Sequence, residues 1–183
     1  MIALISRISR LTKLRAFGRR EDGAAAVEFA IVALPFFAML FAILETALVF
    51  FASQTLETAV ADSARLIMTG QAQNSSLTAT TFKNAVCAKL AGGLFNCGGS
   101  DMTVDVQKYT AFASADLTRP VNEDGTVKPG GYNPGCPGDI VVVRLIYQYP
   151  VYVSLMGLAD MSGNKRLLVA TSVFRNEPYK ATC

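Results

Sequence analysis

Two residues near the head of a long apolar run could do chemistry through their spacing: Gly23 and Glu28, in "REDGAAAVEFAIVALPFFAML" from Arg20 to Leu40. Cleavage after Gly23 would make Ala24 the first residue and Glu28 the fifth. The freed α-ammonium of one subunit and the carboxylate of its neighbour would then neutralise each other inside a membrane. An unpaired carboxylate at mid-bilayer costs about 2.5 to 3.5 kcal/mol on insertion scales, so an acid here needs a reason. Snorkelling to the inner interface is the plainer reason for Glu28. Glu45, the other acid in the apolar stretch, stands near its outer end, where it would reach the interface.

Other reactive residue types are sparse. The chain has no histidine, which removes the usual proton carrier near neutral pH and the commonest nitrogen ligand for metals. No GxSxG, P-loop or GxGxxG pattern occurs, and the expectation is a protein that is not an enzyme. Glu123-Asp124-Gly125 has too few acids at calcium-loop spacing and reads as a turn. Four cysteines, Cys87, Cys97, Cys136 and Cys183, allow three pairings; without CxxC or histidine, disulfides are expected over zinc, and no metal or cofactor. Cys87 and Cys97 would tie a helix to the loop after it. By elimination Cys136 would join Cys183.

The element that positions Gly23 and Glu28 is a membrane helix. No charge occurs from Phe29 to Leu44, and the apolar run continues past Glu45 to Ala52. As a helix, Phe29 to Ala52 would reach about 36 Å, against a hydrocarbon core of roughly 30 Å. Of the 17 basic residues, Arg7, Arg10, Lys13, Arg15, Arg19 and Arg20 all precede Gly23, and only Arg65 occurs in the twenty residues after Ala52. That bias predicts a cytoplasmic N-terminus and an exported C-terminal part. The exported part carries no basic excess, so nucleic acid is not an expected partner. Ala26, Ala30 and Ala33 form a small-residue stripe suited to helix packing, and Pro35 should loosen or kink the helix.

Beyond the span, Leu56, Ala59, Val60, Ser63, Leu66 and Ile67 keep helical spacing, with Glu57, Asp62 and Arg65 toward water. The expected organisation is a basic leader (1–23), a transmembrane helix (24–52), a helical stalk (53–70) and an exported domain (71–183). In that domain a second helix is expected over Thr80–Leu90, and strands over Met102–Phe112, Asp139–Tyr149 and Arg166–Phe174. In the first strand Val104, Val106 and Lys108 alternate with Asp105 and Gln107, predicting one buried and one wet face. The Gly- and Pro-rich loop from Arg119 to Gly138 is long for a small domain and reads as functional or mobile. The fold class is α+β, with the stalk and second helix covering one side of a small antiparallel sheet.

The basic leader, Gly23, Glu28-Phe29 and the apolar helix together resemble the processing site of type IV pilin-like proteins. "GAAAVEFAIVALPFF", "ILETALVF" and "TLETAVADSARL" resemble the TadE-like pseudopilins of the tight-adherence (Tad, or Flp) pilus system. The likeness is strong over Arg19–Gly70 and fainter in "GDIVVVRLIYQYPV" and "LLVATSVFRNEPY". It departs at Thr46-Ala47, where a larger or glycine-containing pair is expected. The resemblance implies a minor pilin or pseudopilin assisting assembly of a pilus for surface adhesion, in the filament, at its tip or at its base. It implies a prepilin peptidase acting on Gly23, Ala24, Glu28 and Phe29, and partnership with other pilins and the Tad inner-membrane platform. Helix packing would use Glu28, Ala26, Ala30, Ala33, Pro35 and Glu45. The chain would be single-pass in the inner membrane, with its exported domain in the periplasm. The alternative is an uncleaved single-pass envelope protein whose periplasmic domain binds a ligand or partner.

Overall fold

The first helix, α1 (Asp22–Met68), changes character along its length, and the rest of the fold follows from that change. The computed structural model describes residues 22–90, 93–153 and 157–180. The chain divides into two units, 1–43 and 44–183. In the first, the described residues are the leading part of α1, with large apolar side chains such as Phe29, Leu34 and Met39 exposed around the helix. This helix is long and apolar enough to cross a membrane. It continues unbroken through Pro35, which lacks only the N–H that would bond the carbonyl one turn earlier.

In the second unit α1 becomes one-sided. Glu45, Val49, Ala52, Leu56, Ala59, Ser63 and Ile67 are buried at spacings of three and four, while Glu57, Asp62 and Arg65 are exposed and Leu66 is only half-buried. Alanines along this stripe bring the helix close to what it covers. The Ser63 hydroxyl, fully buried, donates to the Ala59 carbonyl.

The stripe packs on the inner face of a three-stranded antiparallel sheet, β1 (Met102–Tyr109), β2 (Ile140–Pro150) and β3 (Lys165–Arg175), in the order β1-β2-β3. Its rows come from the register: Met102, Tyr147 and Leu168 lie abreast, as do Val104, Leu145 and Ala170. Two shorter helices follow α1. α2 (Gln71–Asn74) is a single turn with no strong sequence signal, and α3 (Ala79–Cys87) starts at a Thr78–Thr81 capping box. Phe82 and Val86 of α3, with Leu90 after it, enter the same core. The Cys87–Cys97 disulfide ties α3 to the following loop. That loop is fixed to β2 where Asn96 N–H donates to the Tyr147 hydroxyl and Phe95 packs on its ring. Cys136 is also disulfide-bonded; Cys183, its expected partner, lies outside the described residues.

The outer face of the sheet corrects the expectation of a wet side on β1. Asp105 and Gln107 are half-buried and Lys108 is exposed. The cause is β2, whose outward residues Val142, Arg144 and Ile146 are also buried. A central strand apolar on both faces needs a cover on each, and the chain between β1 and β2 supplies the second. Pro129–Asn133 runs along the outer edge of β1, where Val106 N–H donates to the Gly131 carbonyl and Asn133 N–H to the Val106 carbonyl. A Cβ on Gly130 would collide with the Val104 carbonyl, so this close approach requires glycine. Arg144 Nε lies 3.4 Å from Asp105 Oδ2, and its Nη1 donates to the Thr118 carbonyl. The long loop is thus a wall of the domain.

α1 ends at Gly70, whose φ of 78° is left-handed, and Glu177 N–H donates to the Met68 carbonyl. A Cβ on Gly70 would run into the ring of Tyr179. Gly70→Ala should therefore cost about 2 kcal/mol or more, the left-handed penalty of about 1 to 2 kcal/mol plus displacement of the ring. Chemical denaturation of the full chain in detergent checks this, and unchanged stability would contradict the Gly70–Tyr179 packing.

Candidate functional site

The helix geometry separates residues that the sequence lists together. Gly23 stands in the first turn of α1, with nothing within 4 Å of a Cβ built on it. Helix ends fray and a helical glycine costs about 1 kcal/mol relative to alanine, so opening this turn to a protease is cheap. Ala24 and Glu28, four residues apart, share a face, and the face returns at Pro35. At 3.6 residues per turn, Ala26, Ala30 and Ala33 fall roughly opposite. One flat helix contact cannot use both the acid and the alanine stripe. Glu28 and Phe29 are exposed, and among the described residues no hydrogen bond or ion pair reaches the Glu28 carboxylate. The six basic residues of the leader lie outside the described residues.

Glu45, which the sequence sets near the outer end of the span, is turned into the fold of the second unit. It is 4 % exposed within the second unit, and its Oε1 accepts a hydrogen bond from Tyr152 N–H at 3.2 Å. Tyr152 follows β2 and is 107 residues away in the chain. The neighbouring Tyr149 is buried too, and its phenol is pushed above the ordinary value, first by burial and then by the Glu45 charge. The carboxylate is therefore an internal acceptor for the end of β2. No motif in the sequence pairs the two positions.

The remaining polar clusters are structural. Asp124 Oδ1 accepts from both the N–H and the hydroxyl of Thr126, closing a turn at Glu123-Asp124-Gly125. Asp116 does the same with Thr118. In both, the threonine hydroxyl first and its backbone N–H second hold the carboxyl below its ordinary value. An open cleft of about 290 Å³ lies on the outer sheet face, lined by Asp105, Asp116, Lys128 and Arg144 among others. The buried Arg144 is committed to Asp105 and to the Thr118 carbonyl.

A family model described as a TadE-like protein matches residues 23–65. No curated protein and no solved structure matches the chain. The match begins at Gly23 and ends in the last turn of α1, so the likeness is to TadE-like proteins over that helix.

Glu45→Leu should take the acceptor from the part-buried Tyr152 N–H, costing about 1 kcal/mol, whereas Glu45→Gln keeps an acceptor oxygen and should cost less. Amide hydrogen exchange at Tyr152 reads this directly. Equal protection in Glu45→Leu and the parent would show that the contact holds nothing in place.

Proposed function

We propose that the chain is a TadE-like pseudopilin or minor pilin that assists assembly of a Tad-type pilus for surface adhesion. It is made as a precursor and cut between Gly23 and Ala24 by a prepilin peptidase. The mature form stays in the inner membrane with its N-terminus in the cytoplasm and the 44–183 unit in the periplasm. Its partners are other pilins and the Tad inner-membrane platform, and it catalyses nothing itself.

The observation that carries this reading is Glu28. Its carboxylate is exposed on an apolar helix, has no hydrogen-bond or ion-pair partner among the described residues, and lies one turn from the residue that cleavage would make the new N-terminus. A carboxylate costs about 2.5 to 3.5 kcal/mol at the bilayer centre, and Glu28, at the inner end of the span, bears part of that cost. An α-ammonium on an adjacent subunit, in a poorly screened setting, offsets most of it. The alanine stripe faces the other way and is free to take a second neighbour. One acid face and one small-residue face on the same helix suit a subunit packed between two others.

Two measurements test the proposal. Intact mass of the membrane-extracted protein should correspond to Ala24–Cys183, and a form still carrying the leader in cells with active peptidase would favour the uncleaved anchor. Glu28→Ala should insert at least as well as the parent and still be cleaved, but surface pili in a complementation assay should be lost. Normal piliation would defeat the pairing. Failure of cleavage alone would make Glu28 a peptidase recognition residue.

A further inference from the structure

Exposed apolar side chains on α1 do not stop where the folded unit begins. Within the 44–183 unit, Leu48, Phe50 and Phe51 are exposed, the two phenylalanines at 67 % and 55 %, while Val49 and Ala52 on the same turns are buried. Exposed polar residues on this helix resume only at Gln54. Tyr152 is 73 % exposed, and its hydrogen bond to Glu45 places its backbone at this same end of the unit. Large apolar groups exposed around one end of a folded unit mark contact with another apolar phase.

Helix length says which phase. From Ala24 to Phe51, 28 residues of α1 rise about 42 Å, which exceeds the roughly 30 Å hydrocarbon core and matches the 40–45 Å of a bilayer with its headgroup zones. If the hydrocarbon-spanning part starts at Phe29, just after Glu28, it ends about twenty residues later, near Leu48. That lies past Glu45 and inside the folded unit.

We infer that the end of the exported unit carrying Leu48, Phe50, Phe51 and Tyr152, beside the buried Glu45, is a membrane-docking surface, seated in the headgroup zone with Phe50, Phe51 and Tyr152 against lipid. The proposal rests on the reading of α1 as a membrane anchor and adds that the domain itself touches the bilayer. Tyrosine, apolar in body and polar at the tip, suits that zone. The same depth accounts for Glu45: too deep for easy access to water, the carboxylate turns inward to a backbone N–H.

The chain contains no tryptophan, so single substitutions report one site at a time. Full-length Phe36→Trp, Phe51→Trp, Tyr152→Trp and Phe112→Trp are reconstituted in phosphatidylcholine vesicles with bromine either near the glycerol backbone or near the chain ends. Phe112 is exposed and follows β1, whose last residue Tyr109 pairs with Ile140 at the opposite end of the sheet from Tyr149. Phe36→Trp should be quenched most by deep bromine. Phe51→Trp and Tyr152→Trp should be quenched about twofold or more over Phe112→Trp, and most by shallow bromine, as interfacial residues are. If both match Phe112→Trp while Phe36→Trp is quenched, the span stands and the docking surface is refuted. Blue-shifted emission from Phe51→Trp without bromine quenching would also refute it, because a neighbouring protein chain would then cover the patch. Loss of quenching at Phe36→Trp would overturn the anchor reading together with this one.

Discussion

One helix has to satisfy two surroundings, and this constraint organises the molecule. Over its first turns α1 presents apolar side chains on every side, which only a lipid or protein environment rewards. From Glu45 onward it must bury one face and wet the other. The change is made by composition: Leu56 and Ile67 supply area, while Ala52, Ala59, Ser63 and Ala64 keep the buried face narrow enough for close packing on β1, β2 and β3. Among the described residues the sheet has no other continuous inner cover, so its inward rows depend on this stripe, with α3 filling the remainder. Both ends of the stripe are tied to the sheet's connections, at Glu45 by Tyr152 N–H and at Met68 by Glu177 N–H.

The second dependency runs through β2. "IVVVRLIYQYP" buries residues on both faces, so covering the inner face with α1 still leaves Ile140, Val142 and Ile146 in need of shelter. The chain from 110 to 139 meets that need, and in doing so it blunts the outer edge of β1, which would otherwise offer free N–H and C=O groups for pairing. Burying Arg144 under this wall would be expensive without Asp105 and the Thr118 carbonyl. Asp105 Oδ1 also accepts from Gly131 N–H, so one carboxylate holds both the arginine and the loop. A glycine- and proline-rich loop therefore has a mechanical role, enforced by the close approach of Gly130 to the β1 backbone.

Periodicity made the regular elements legible in the sequence. The run after Glu28, the three- and four-residue spacing after Ala52 and the β-branched stretches place α1 and all three strands within a few residues, because those signals are local. Misplacements arise where the deciding partner is distant. Asp105 looked solvent-facing because alternation describes one strand and cannot show a loop folding back over it. α2 escaped because a single turn has too few residues for a period. The Glu45–Tyr152 contact joins positions 107 residues apart and carries no spacing rule. Gly23 and Glu28 could be singled out because the relation between them is local too. The opposition of Glu28 to Ala26, Ala30 and Ala33 was also available from helical geometry, once those residues are treated as directions on a helix rather than as a list.

The two acids of α1 meet the same electrostatic problem by different routes. A carboxylate beside an apolar phase must reach water, find a donor in its own fold, or find a cation on another molecule. Glu45 takes the second route: it is buried within the unit and receives a backbone N–H that α1 could not supply, since the helix uses its own N–H groups internally. That solution requires a folded layer beside the helix, and at Glu45 the sheet provides one. Glu28 belongs to the other unit, and its carboxylate is exposed, with no hydrogen-bond or ion-pair partner among the described residues. The third route needs a cation fixed at the same depth. Peptide cleavage at Gly23, as proposed, would create one on every neighbouring copy of a similarly processed subunit, and the local spacing of Gly23 and Glu28 would then set lateral association.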